Sequence, residues 1–185
     1  MPDPGHPDLG PIHHFAYVVE AIEPAARRLH EQFGAGPFFH LEEVPVEDVT
    51  SGGEPAVFKH GSAFGICNGV PVELMEIAQI EPQRADERFR GSADGAPRLH
   101  HLAYALPPES VAAARRQLVA NGLPEYLSAR FGEDVEFSYH DSSAALGHDL
   151  EIHADVEGLR GFFAMFYEAA ENWDGSDMLR PPPLG

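Results

Sequence analysis

Two short apolar runs frame the chain. Residues 12–19 read Ile12-His13-His14-Phe15-Ala16-Tyr17-Val18-Val19, and residues 99–106 read Leu99-His100-His101-Leu102-Ala103-Tyr104-Ala105-Leu106. Both have the length and composition of strands. Each is followed by a helix with a proline near its start and a glycine past its end. The first runs from about Pro24 through Ala25, Ala26 and Leu29 to Gly34; the second runs from about Pro108 through Ala113, Ala114 and Leu118 to Asn121-Gly122. Proline suits the first helical turn, where an N–H has no partner to lose, and glycine suits the left-handed residue that ends a helix. Strand-like stretches come next. Residues 57–67 and 70–77 flank Asn68-Gly69, a hairpin-turn pair, and residues 135–141 alternate through Val135, Phe137 and Tyr139 before a last strand at Leu150-Glu151-Ile152.

Each half therefore reads strand, helix, then several strands, with a period of about 87 residues from His14 to His101. Two copies are too few for a solenoid. They predict an α+β fold built from two tandem βαβββ modules: residues 1–11 a loose N-terminus, 12–80 the first module, 81–98 a linker, 99–155 the second module, and 156–185 a helix and tail. The final helix, about Glu157 to Trp173, carries Leu159, Phe162, Phe163, Phe166, Tyr167 and Ala170 at three-four spacing. That spacing buries one face, either on the sheet or as a lid over a pocket. Pro181-Pro182-Pro183 ends regular structure, and residues 176–185 are expected to be loose.

Composition narrows the function classes. The 30 acidic against 12 basic residues give a net charge of −18, and Lys59 is the sole lysine. Such a surface repels phosphate backbones and anionic lipid, so neither nucleic acid nor membrane is an expected partner. No apolar run reaches the roughly 18–20 residues of a membrane span, and the first residues have no basic start or apolar core of a secretory signal. The single cysteine, Cys67, fits a reducing compartment, and a cytoplasmic location is expected. The chain has no Gly-x-Ser-x-Gly, Walker loop or Gly-x-Gly-x-x-Gly.

Superposing the halves aligns four residues. His14 matches His101 on the first strand of each module, and Glu73 matches Glu151 on the last, 59 and 50 residues later; a Gly/Pro/Glu-rich loop near Ser51 to Pro55 absorbs the difference. A carboxylate centred in an apolar strand is costly to bury without a compensating positive charge. Two carboxylates and two imidazoles would suit a divalent metal and cancel its charge, leaving two positions of an octahedral shell open. A single strand histidine is ordinarily structural, and Glu73 with Glu76 nearby could face solvent; repetition of the pair is what points to a site. His13 and His100 repeat as well and are direct rivals, since one residue along a strand changes the face.

His14-Phe15-Ala16-Tyr17 and His101-Leu102-Ala103-Tyr104 resemble the opening strands of vicinal oxygen chelate modules, the superfamily of glyoxalase I, methylmalonyl-CoA epimerase, extradiol dioxygenases and bleomycin-resistance proteins. Val72-Glu73-Leu74-Met75 and Leu150-Glu151-Ile152 resemble the ligand-bearing last strands. The resemblance covers about residues 12–155. It implies a cupped mixed sheet around one metal, with His14, Glu73, His101 and Glu151 as ligands in place of His13 and His100. Ala16 and Ala103 would then share the cavity face, with Phe15 and Tyr17 toward the helix.

The same resemblance implies a reaction. A four-ligand site with Glu at position 73 is similar to that of bacterial-type glyoxalase I and implies an isomerase, epimerase or lyase. One divalent ion per chain (Ni, Co, Zn, Mn, Mg or Fe) would polarise a substrate carbonyl, while Glu151 or Glu73 moves the proton on the adjacent carbon. Glu43 is a weaker candidate base. Two other readings stand beside it: an iron-dependent extradiol-type dioxygenase in which Glu73 does not bind, and a metal-free binding protein for a small molecule or antibiotic. The expected partner is a small organic substrate, with a homodimer possible. Few basic residues count against acyl-CoA or glutathione adducts. His40, His60, His140, His148 and His153 are expected mainly at the surface, and Phe38, Phe39, Phe58, Phe64 and Tyr139 mainly in the core, with pocket roles as the alternative.

Overall fold

A computed structural model describes residues 5–81, 87–92 and 95–182. In the first half, β1 (His14–Val19) leads into α1 (Ile22–Phe33), β2 (Phe38–Leu41), β3 (Val46–Ser51), β4 (Glu54–Pro55), β5 (Val57–Cys67) and β6 (Val70–Glu81). In the second, β7 (Arg98–Leu106) is followed by α2 (Pro108–Ala120), β8 (Glu125–Phe131), β9 (Val135–His140), the short α3 (Ser143–Leu146) and β10 (Asp149–Ala154). The chain ends with α4 (Glu157–Ala170) and β11 (Leu179–Arg180). Residues 82–86 and 93–94 of the expected linker lie outside the described residues, as do 1–4 and 183–185 of the expected loose ends.

One mixed sheet holds every described strand, in the order β11-β2-β5-β6-β1-β7-β10-β9-β8-β3-β4. The duplication is visible in that order. β1 is parallel to β6 in one module and β7 is parallel to β10 in the other, and an antiparallel β1–β7 pair joins them. Side chains of a strand alternate between faces, and the layers follow from it. Phe15 and Tyr17 pack outward with Ile22, Ala25 and Ala26 of α1; Tyr104 packs outward with Val111, Ala114 and Leu118 of α2. Ala16 and Val18 point inward, among Phe58, Met75, Phe137 and Tyr139.

Local signals explain most element ends. Asn68 and Gly69 both take positive φ, 51° and 81°, as the two-residue turn between β5 and β6 requires. Gly34 is left-handed and ends α1. That helix starts at Ile22, two residues before the proline, because a carboxylate from another strand caps it: the Ile22 N–H donates to Glu76 Oε2 at 2.9 Å. The last helix stops at Ala170, short of Trp173, and the chain turns through Asn172 at φ 60°.

Two expectations are corrected. The Ser51–Pro55 segment is a hairpin rather than a loop, turning at Gly52-Gly53 between β3 and β4, and β3 crosses to pair with β8 of the second module. The stretch 176–185 is not loose over Met178–Arg180: Leu179 and Arg180 pair with Phe38 and Phe39, and the Phe38 N–H donates to the Met178 carbonyl.

The crossing to β3 closes one side of the cup. Residues 42–45 pass from beside β5 to beside β8, and the Val44 N–H donates to the His60 carbonyl at 2.9 Å. The strap fits because position 61 has no side chain: a Cβ at Gly61 would stand 2.8 Å from the Glu42 carbonyl oxygen. Helix α4 covers another side. Its Phe166 is fully buried and stacks on Phe39 and Phe64 at 5.4 and 5.7 Å, while Leu159, Phe162 and Phe163 reach the cavity. The helix thus both packs on the sheet and roofs the cup. Gly61→Ala is expected to lower stability by about 1–3 kcal/mol, since a backbone carbonyl cannot rotate aside as a side chain can; urea denaturation beside the wild type measures it.

Candidate functional site

The β1–β7 register builds the centre. His14 lies opposite Ala103, and Ala16 opposite His101. On the flanks Ala16 neighbours Glu73 across β6, and Ala103 neighbours Glu151 across β10. Each alanine therefore sits between a histidine and a glutamate, and its small side chain leaves room for both to turn inward. All four come from one chain and all are buried, none more than 8% exposed.

His101 Nε2 is 2.8 Å from Glu151 Oε2 and 3.8 Å from Glu73 Oε2. His14 Nε2 is 3.4 and 3.7 Å from the same two oxygens. Neither Nε2 makes a well-aligned hydrogen bond, and both face the same two carboxylate oxygens. His14, His101 and Glu151 form one group whose potential ligand atoms all lie within 4.8 Å of one another. Glu73 is held from behind, its Oε1 accepting from Ser62 Oγ at 2.6 Å.

The rival histidines stand behind the inward ones. His13 Nδ1 lies 2.9 Å from His14 Nδ1, and His100 Nδ1 lies 2.8 Å from His101 Nδ1. In each pair one nitrogen donates and the other accepts. His100 continues outward, its Nε2 3.3 Å from the Tyr126 hydroxyl, which donates to Asp149 Oδ2 at 2.9 Å, where Arg88 also reaches. His13 also joins His14 and His153 in a second group of potential ligand atoms.

A cavity opens from the centre and holds about 610 Å³ of empty space including its mouth. Phe64 and Tyr139 line it; Phe38, Phe39 and Phe58 belong to the core. Glu43 is exposed on the strap and does not line it. His60 and His153, expected at the surface, are buried cavity residues; His140 is buried elsewhere, and His40 and His148 are half-buried. The signal for His153 was its place two residues after Glu151, on the same strand face.

A profile of the Glyoxalase/Bleomycin resistance protein/Dioxygenase superfamily matches residues 13–139. The chain belongs to that superfamily. Among solved structures it is similar to hypothetical protein BH1468 from Bacillus halodurans, at 17% identity and a TM-score of 0.51, over 80% of this chain and 95% of that one. Methylmalonyl-CoA epimerase from Mycobacterium tuberculosis is 16% identical with a TM-score of 0.48, over 81% and 91%. The Streptomyces coelicolor methylmalonyl-CoA epimerase in complex with 2-nitronate-propionyl-CoA is 16% identical with a TM-score of 0.43, over 81% and 97%. No curated protein matches the chain.

Charge in this superfamily cup is tightly coupled. Burial works against a charge on His14, but the Glu151 and Glu73 carboxylates outweigh it and raise its pKa from 6.5 to about 9. Burial likewise opposes charge on the two glutamates, and the facing imidazoles outweigh it, holding Glu73 below 4.5 and Glu151 well below. His13 moves the other way, to about 4, through burial first and then the neighbouring His14 and His153; burial also pushes His100 well down. The raised His14 stabilises the fold fully below its unfolded pKa of 6.5, and that contribution is lost as pH rises through about 9; the depressed glutamates stabilise above 4.5, and theirs is lost as pH falls through their lowered pKa values. Protein in chelator is therefore expected to melt at falling temperature from pH 6.5 to 9.5, with a flatter slope in His14→Asn. Calorimetry in chelator measures both, and equal slopes would contradict it.

Proposed function

We propose that the protein is a divalent-metal-dependent isomerase, epimerase or lyase that moves a proton beside a carbonyl of a small organic substrate, with His14, Glu73, His101 and Glu151 as the metal ligands. The observation that carries this reading is the pair of buried Nε2 atoms, both without hydrogen-bond partners and both facing two carboxylates. Unpaired buried nitrogens are rare, and two carboxylates balance a dication. The donor set of two imidazoles and two carboxylates fits Zn, Ni, Co, Mn or Fe.

The metal would supply Lewis-acid polarisation of the carbonyl. The chain supplies the rest. To present Nε2 lone pairs, His14 and His101 keep their protons on Nδ1 and donate them to His13 and His100, which fixes both tautomers. The Tyr126–Asp149–Arg88 chain then orients His100. The two glutamates are not equivalent. Glu73 is tied by Ser62, whereas no described hydroxyl donates to Glu151, which leaves Glu151 free to take the proton from the substrate carbon and return it. Cavity walls of Val44, Phe131, Phe137 and Leu159 exclude water from that transfer.

The second reading is an iron-dependent dioxygenase, favoured by the compactness of His14, His101 and Glu151 without Glu73. Two histidines and one carboxylate with open positions suit non-haem iron. Plasma mass spectrometry on the wild type and Glu73→Ala separates the two. About one divalent metal per chain, with affinity reduced by about tenfold or more in the variant, supports the four-ligand enzyme. Iron held unchanged in Glu73→Ala, with oxygen consumed, supports the dioxygenase. A wild type that holds no metal after reloading contradicts both.

A further inference from the structure

Four buried side-chain polar atoms lack a hydrogen-bond partner among the described residues, and all are histidine nitrogens of this one site: Nε2 of His14 and His101, Nδ1 of His60, and Nε2 of His153. Such atoms mark a partner that the chain itself does not supply. The first two face the carboxylates. The other two belong to the cavity wall, His60 from β5 and His153 from β10. Both rings are held by other contacts: His60 stacks on Phe58 at 4.1 Å, and His153 lies against His14 at 5.9 Å. His153 also donates its Nδ1–H to the Ala154 carbonyl at 3.3 Å, which leaves Nε2 of the neutral ring as an acceptor.

The remaining wall is apolar or aromatic, including Leu41, Val46, Phe64, Phe131, Phe162 and Phe163, and no lysine or arginine lines it among the described residues. Phosphates and carboxylates are ordinarily gripped by such cations, and a chain of net charge −18 repels them at a distance. We propose that His60 and His153 are the substrate-recognition residues of this cavity, and that they select a small uncharged hydroxy-carbonyl compound with an apolar or aromatic body. His153 Nε2 accepts from the hydroxyl, and the His60 Nδ1–H donates to the carbonyl oxygen.

The assignment rests on the metal-site reading, which would hold the carbonyl end, so the test measures metal and ligand separately. The probes are 2-hydroxyacetophenone, acetophenone and acetyl-CoA, titrated calorimetrically into nickel-loaded and chelator-treated protein. The wild type is expected to bind 2-hydroxyacetophenone more tightly than acetophenone, which lacks the hydroxyl, and to bind acetyl-CoA least. His60→Phe and His153→Phe are each expected to weaken 2-hydroxyacetophenone by about tenfold, the loss of one buried hydrogen bond. Both variants should keep their nickel, and His60→Phe should melt no lower than wild type without ligand, since an unpaired nitrogen has been removed; a merely structural histidine would lower the melting temperature. If a phenylalanine variant does not fold, the leucine variant at that position carries the test.

Tighter binding of acetyl-CoA, or wild-type binding of 2-hydroxyacetophenone by both variants, would overturn the inference. Loss of nickel in His153→Phe would make His153 a metal ligand and overturn its assigned role. A wild type that holds no nickel yet binds 2-hydroxyacetophenone through both histidines would sink the isomerase and leave this inference standing.

Discussion

β1 and β7 run antiparallel with His14 opposite Ala103 and Ala16 opposite His101, and the position of every group in the site follows from that register. A slip of one residue would turn both inward histidines to the helix side and bring His13 and His100 into the cup. The parallel partners β6 and β10 then deliver Glu73 and Glu151 beside the two alanines. Neither module could assemble the centre alone, because each contributes one imidazole and one carboxylate. Pairing the two copies through their first strands is what makes one site from two half-sites.

The electrostatics set a second constraint. Two carboxylates in an apolar cup demand compensation. In the protein by itself His14 supplies part of it by holding a proton up to about pH 9. A dication would supply all of it and release that proton, so on the proposed reading metal uptake and folding stability would be linked through the same four groups. The packing around them is built for enclosure: the strap over Gly61 and the aromatic face of α4 shut off the sides, and the fully buried side-chain polar atoms left without a hydrogen-bond partner among the described residues are all histidine nitrogens.

Much of this was legible in the sequence because it depends on alternation and repetition. The paired His-His-x-Ala-Tyr strands, the Asn68-Gly69 turn and the placement of Phe15 and Tyr17 against α1 all follow local rules. What was not legible depended on distant partners. Glu76 starts α1 early from another strand, and Gly52-Gly53 marks a turn without revealing that β3 would pair with β8. Likewise Leu179–Arg180 becomes a strand only because β2 offers a free edge. His60 and His153 read as surface residues because histidine is commonly exposed; their burial comes from the closure of the cup by the strap and α4.

X-ray absorption spectroscopy of the metal-loaded protein tests the central claim most directly, because it reads the ligand shell without knowledge of the substrate. The account predicts two imidazole nitrogens at about 2.0–2.1 Å with the remaining positions filled by oxygen, and one imidazole lost in either His14→Ala or His101→Ala. A three-imidazole shell, as His13, His14 and His153 would give, or a wild-type spectrum in both variants, would contradict it.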